Sequence, residues 1–410
     1  MHPKENVAGL VCVMLATLVV TGSEARASAL ARDFDLSLRL EQAYFSWVDG
    51  VRSSASYRVS MAEPAGKSAA IFARLAGGYQ EGALLTFALD DALIADRASL
   101  LRRTFRHEVE LGMRRRLGGP HELELSAQAE IFDSAALRDS STSFAAGGTV
   151  TARISDSCRL RASLHGVYKQ FPNMTTATSS VDHRELRQRT QLRFQRKLGA
   201  RKGRRSQQTI TWSVESELRL RGYVRSHHDA LDTDSDSAST IVRDPENRQY
   251  RAAAIATAVT YELRRRLTAT SAARWEQNRS RHYDRFFADA GILVRSYYDY
   301  DHFELKEKAE LELIPALSLE LEGAVGWRRF ANYPARAEDG SWLGERRRDR
   351  ELKASVALGL DLDRRLRWSG KLRLEAFVEH RLERSNMRDE RSFLTSYELT
   401  TVGLRARFGV

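Results

Sequence analysis

The chain has 410 residues, a net charge of +11 and a mean hydropathy of −0.46, with 42% hydrophobic and 29% charged residues. That length allows one large domain or two modest ones. The polarity excludes a bundle of membrane helices, each of which needs about 20 mostly apolar residues. It leaves open a transmembrane barrel, in which only alternate residues of each strand meet lipid. The positive surplus is mostly arginine spread along the chain between glutamates. No basic tail or nucleic-acid motif accompanies it, so no nucleic-acid partner is expected.

The first element is the apolar run Val7–Val20, which follows Lys4 and precedes Ala25-Arg26-Ala27. It is too short for a comfortable span, and its end fits the small-x-small cleavage rule, so residues 1–27 read as a secretory signal; an uncleaved anchor is the alternative. Cys12 lacks the preceding small residue that lipidation requires. Beyond residue 27 Cys158 is the single cysteine, so no internal disulfide is expected.

From residue 28 the dominant signal is period two. Residues 34–47 alternate through Phe34, Leu36, Leu38 and Leu40, and Asp49-Gly50 follows as a tight-turn signal. Weaker strands are predicted at 53–61 and 67–78, around Glu63–Gly66. The stretch 79–102 resists alternation and reads as a loop helix or a hidden hairpin. Strands are then predicted near 103–117, 121–132, 143–154, 158–171, 183–198, 207–223, 246–264, 267–279, 301–314, 317–330, 348–363, 366–381 and 394–408. His121–Asp133 shows the logic: Leu123, Leu125, Ala127, Ala129 and Ile131 share one face, while Glu122, Glu124, Ser126, Gln128 and Glu130 share the other. Successive strand side chains point to opposite faces, whereas a helix would mix these charges into every side. The total is about sixteen strands, with fourteen and eighteen left open by residues 48–102.

The connectors alternate as well. Short ones fall at Gly118–Pro120, Ser155–Cys158, Gly199–Ser206, Arg264–Arg266, Ile314–Ala316 and Asp363–Leu366. Long polar ones fall between them, at Asp133–Thr142, Pro172–Asp182, Val224–Pro245, Asn278–Tyr300, Ala331–Arg347 and Leu382–Phe393. This is the pattern of an up-and-down antiparallel barrel with short periplasmic turns and long outer loops. Aromatics gather near predicted strand ends, as membrane-interface girdles would require. Tyr44, Trp47, Phe132, Tyr168, Phe171, Tyr223, Tyr250, Trp275, Trp327 and Phe330 lie on the long-loop side. Phe34, Phe194, Trp212, Tyr261, Trp368 and Phe408 lie on the short-turn side.

The pattern over residues 30–410 resembles the outer-membrane β-barrel families of Gram-negative bacteria. The most specific segment is Tyr397–Phe408, with Tyr397, Val402, Leu404 and Phe408. It looks like the C-terminal strand read by the barrel-assembly machinery, although Gly409 and Val410 follow the terminal aromatic. The resemblance implies an all-β barrel at residues 28–410, an outer-membrane location, lipid as surroundings and the assembly machinery as a partner in biogenesis. It implies no substrate and no catalytic residue.

The polar face would line a lumen. Arg159, Arg161, Lys169, Arg187, Arg189 and Arg193 form a predicted basic wall, suited to anionic or saccharide solutes. Glu304, Glu310, Glu312, Glu320 and Glu322 form an acidic wall, with Lys306 and Lys308 between them. Two readings compete: an open charged pore for polar solutes, or a lumen closed by Arg–Glu ladders in a structural or surface-recognition barrel. His165, His302 and His380 stand on or near strands, but no spacing links them to a nucleophile, so no enzyme is expected. His227 and His228 near Asp229, Asp232, Asp234 and Asp236 could hold a divalent cation, though a solvated acidic loop is the plainer reading. No cofactor and no metal are expected.

Overall fold

A computed structural model describes residues 33–45, 50–66, 68–84, 103–134, 140–171, 179–198, 208–226, 228–229, 243–244, 249–263, 266–281, 285–287, 292–294, 296, 299–362, 371–388 and 396–409. The proposed signal at 1–27, most of the 79–102 stretch, Trp47, Trp368 and Asp232–Asp236 lie outside them.

The wall is built from β1 (Asp33–Phe45), β2 (Gly50–Pro64), β3 (Ala69–Leu84), β4 (Thr104–Gly118), β5 (His121–Ser134), β6 (Ser141–Arg153), β7 (Cys158–Gln170), β8 (Ser179–Leu198) and β9 (Gln208–Ser226). Two bridging residues each in β10 (His228–Asp229) and β11 (Arg243–Asp244) pair within a loop. The wall resumes with β12 (Gln249–Leu263) and β13 (Leu267–Arg281), and a second loop holds β14 (Arg285–Phe287) and β15 (Ile292–Val294). It finishes with β16 (Tyr300–Ile314), β17 (Leu317–Arg336), β18 (Trp342–Asp361), β19 (Lys371–Ser385) and β20 (Tyr397–Gly409).

Sixteen of these strands pair antiparallel with their chain neighbours, and β20 pairs with β1, so the barrel is closed and no edge is left open. Following the register once around the wall returns to β1 about 20 residues from the start, which for sixteen strands means a tilt of about 40°. Strands spaced by about 4.8 Å at that tilt enclose a wall roughly 30 Å across.

The apolar side chains lie on the outside. Among the described residues nine hydrophobic ones are buried, whereas 39 large ones are exposed, including Leu125, Ile131, Val259, Leu321, Val356 and Leu404. A water-soluble protein would invert that ratio, so the outer face is solvated by lipid. Leu404, midway along β20, is 66% exposed. Arginine there is expected to cost about 2–4 kcal/mol in a bilayer, against about 0–1 kcal/mol for Leu313→Arg near the short-turn rim. Urea titration of vesicle-folded protein measures both; equal costs at the two positions would refute the membrane placement of the wall.

Local chemistry explains the short turns. Between β4 and β5 the chain reverses through Gly118 (φ 116°) and Gly119 (φ 55°), a left-handed conformation that glycine adopts without a Cβ clash. On the opposite rim, Ala331–Arg347 is not the long loop expected from its polarity. Strands β17 and β18 run on past the barrel, through Pro334 opposite Arg346 and Arg336 opposite Trp342, with register shifts on either side of Pro334. The Arg336 guanidinium lies 4.3 Å over the Trp342 ring. The turn closes at Gly340 (φ 77°), and the Asp339 carboxylate accepts the Ser341 N–H at 2.9 Å. Charged residues misled the loop reading because both faces of a strand beyond the bilayer meet water.

Candidate functional site: the inner wall

Residues of one parity in each strand face the lumen. Glu41, for example, sits opposite Ser54 on β2 and Arg405 on β20, and Arg405 sits opposite Glu375 on β19. Much of this face is an ion-pair lattice. Arg405 reaches Glu41 at 2.9 Å and also bonds Glu375, so one guanidinium ties β19, β20 and β1 together across the closing seam. Glu41 also accepts from Arg39 at 2.5 Å, and Glu375 is approached by Arg407 at 3.4 Å. The Gly403 backbone passes beneath the Phe377 ring, and an added Cβ would lie 2.6 Å from both that ring and the Gln42 carbonyl. Elsewhere Arg74 meets Glu110, Arg114 meets Glu124, and Arg189 meets Glu215. Some pairs are directly opposite, as in Arg74–Glu110; others, such as Lys306–Glu322, run two residues along the diagonal, within reach of long side chains.

The expected acidic wall faces the lumen, but it is largely neutralised. Glu322 lies 2.8 Å from Lys306 and 3.6 Å from Lys353. Glu320 lies 2.9 Å from Lys308, and Glu310 lies 3.4 Å from Arg373. Glu304 stands opposite Arg274 in the register, and Glu312 opposite Ser318.

The expected basic wall divides in two. Arg187 bonds the buried Glu185, which also holds Arg221 at 2.8 Å, and Arg189 is tied to Glu215 at 2.7 Å. Lys169 lies 5.0 Å over the Phe171 ring. Arg159, Arg161 and Arg193 are exposed to the lumen, and among the described residues no carboxylate lies within ion-pair range of any of them. Arg153, Arg159 and Arg193 form one row across β6, β7 and β8, each directly opposite the next. Arg153 alone has a partner, the exposed turn residue Asp156 at 2.6 Å. Like charges placed directly opposite destabilise a sheet by about 0.2–1 kcal/mol per pair. The row therefore costs stability, whereas the next lumen-facing position of β8 carries the neutral Gln191 opposite Arg161.

A second lumen feature lies under the long-loop rim, where four aromatics expected in the girdle face inward instead. Phe132, Tyr223, Tyr250 and Phe330 share the parity of the lumen-facing residues and point inward, as does Tyr300. Tyr44, Phe105, Phe144, Trp275, Phe303 and Trp327 do face outward and form the girdle at that rim; Phe194 and Trp212 do so at the other. Tyr223, Tyr250, Tyr300 and Phe330 line a cavity of about 530 Å³ with Arg219, Arg221, Arg328 and Arg347 but only two carboxylates, Glu185 and Glu276. Parity with Arg219 and Arg221 is the sequence signal that places Tyr223 inside.

The C-terminal strand is β20: Val402, Leu404 and Phe408 share its outer face, while Tyr397 faces inward under the Arg381 guanidinium at 5.6 Å. Among the described residues, no group of three or more His, Cys, Asp or Glu side chains is placed to hold a metal. His165, His302 and His380 stand on three well-separated strands.

A closed, even-numbered antiparallel barrel with a lipid-facing exterior and a charged lumen defines an outer-membrane β-barrel protein. No protein-family model and no curated protein matches the chain. Among solved structures it is similar to OccAB1 of Acinetobacter baumannii, at 10% identity over 93% of this chain and 97% of that one, with a TM-score of 0.49. It is also similar to OprD of Pseudomonas aeruginosa, at 11% identity over 93% and 96% of the two chains and a TM-score of 0.44. CdiB from Acinetobacter baumannii is similar at 9% identity over 92% of this chain, with a TM-score of 0.47, and the chain spans 60% of its length. The fold assignment stands on the strand pairing itself.

Proposed function

We propose that the barrel is a passive pore for small polar solutes that favours anions over cations. The observation that carries this reading is the imbalance between the two lumen walls. Arg159, Arg161 and Arg193 face the lumen without a carboxylate in range, while the carboxylates of Glu310, Glu320 and Glu322 are held by Lys and Arg. An unpaired guanidinium offers a planar fork of donors to a carboxylate or phosphate and keeps its charge at any physiological pH. A wall of sixteen strands is also wide enough to leave an aqueous channel. The outward Val402, Leu404 and Phe408 of β20 suit recognition by an assembly machinery that delivers the chain to the membrane.

The test is conductance of the refolded protein in a planar bilayer under a potassium chloride gradient. Discrete conductance steps with a reversal potential on the chloride side are expected. Silence at all voltages and salt concentrations would overturn the pore reading and favour a structural or surface-recognition barrel.

A further inference from the structure

We propose that the cavity beneath the long-loop rim is a capture site for a sugar acid, with Arg328 as the residue that takes the carboxylate. This rests on the pore reading only for the solute's onward path; binding itself is independent of it. Arg328 faces the lumen from β17, and its guanidinium lies 5.1 Å over the Tyr300 ring. Among the described residues no carboxylate is within ion-pair range of it, and its Nε is buried without a hydrogen-bond partner. The carboxylate opposite in the register, Asp349, is already taken: Arg347 donates to both of its oxygens at 2.9 Å. Arg347 is itself fixed, 4.7 Å over Phe330 and 5.0 Å over Tyr333. Tyr300 cannot turn toward a ligand without losing its hydroxyl donation to Glu276 at 2.8 Å. Arg328 is thus an oriented cation left over after its neighbours have paired, in a cavity with room for a monosaccharide.

The rest of the lining selects the body of the solute. Tyr223 and Tyr250, with ring centroids 5.8 Å apart, offer apolar contact to a sugar ring. The part-exposed Glu276 and Asn278 also line the cavity, and a wholly apolar carboxylic acid would strip water from them with nothing in return. A hydroxylated carboxylate meets both demands.

The experiment is calorimetric titration of the full-length barrel in detergent with D-glucuronate, D-glucose and acetate, with folding checked by unheated gel mobility. Saturable binding of glucuronate is expected, at least tenfold tighter than either glucose or acetate. Arg328→Gln is expected to weaken glucuronate at least tenfold, because a charge-assisted bidentate contact is lost. Arg328→Lys, which keeps the charge but not the fork, should fall between the two. Equal binding by wild type and Arg328→Gln, or acetate as tight as glucuronate, would overturn the proposal. A barrel that binds glucuronate through Arg328 yet never conducts would leave the site standing and remove the pore.

Discussion

Arg405→Met is expected to destabilise the barrel by about 3 kcal/mol, the low end of the range for breaking a buried ion pair. The change leaves Glu41 and Glu375 without the guanidinium they share. The Glu375 side chain is only 3% exposed and that of Glu41 9%, so lumen water cannot replace the lost donors. The effect stays at the low end because Arg39 remains on Glu41 and Arg407 on Glu375. It is large for one lumen residue because Arg405 spans the seam. The β1–β20 ladder has nine paired positions, fewer than the thirteen between β19 and β20, and it joins the two ends of the sheet. The urea midpoint for loss of the fast-migrating folded band measures this. The double variant Glu41→Gln with Arg405→Met should recover part of the loss, since one uncompensated charge is gone. An unchanged midpoint for Arg405→Met would show that the seam is held by its backbone ladder alone.

Replacing Arg159, Arg161 and Arg193 together by glutamate is expected to turn an anion-preferring channel into a cation-preferring one. Each substitution changes the local charge by two units, and none breaks an ion pair among the described residues. Arg159→Glu turns the like-charge pair with Arg153 into an opposite-charge pair, while positions 159 and 193 stay like-charged across β7 and β8, so the variant should fold about as well as the parent. The shift in reversal potential should shrink as salt rises, because screening shortens from about 10 Å at 0.1 M to about 3 Å at 1 M. A reversal potential that does not move at low salt would remove the proposed role of this wall.

The barrel was legible in the sequence because its constraint is repeated in every strand. Lipid outside and charge inside force an alternation such as that of His121–Asp133, and the β5 register follows it residue by residue. The strand count of sixteen was reachable even through 53–61 and 67–78, where alternation is weak. Those segments lengthen to β2 and β3, whose outer faces carry small residues such as Ala55, Ala73 and Gly77 in place of leucines. Legibility fails where the bilayer stops acting. Ala331–Arg347 lies beyond the apolar belt, so its strands carry polar residues on both faces and resemble a loop. The lumen walls were readable as sets but not as pairings. Which arginines stay free depends on diagonal reach between strands, and Arg189–Glu215 is visible only once the register is known. The rim cavity was missed because aromatics at strand ends were assigned to a girdle by position, when parity already separated Tyr223 from Trp275.

The alternation of the wall also governs how the chain travels. Among the described strands each lipid-facing leucine or valine is followed by a residue that is usually charged, as in Leu317–Glu322, and apolar runs such as Ala252–Ala256 fall far short of the about 20 residues a membrane helix needs. A translocation channel that releases apolar segments sideways into the first membrane they meet would find none here to retain. The greasy exterior exists only after pairing brings side chains from sixteen separate strands onto one surface. The sequence thus defers its affinity for lipid until it has been folded, and the membrane in which it assembles becomes the one it inhabits.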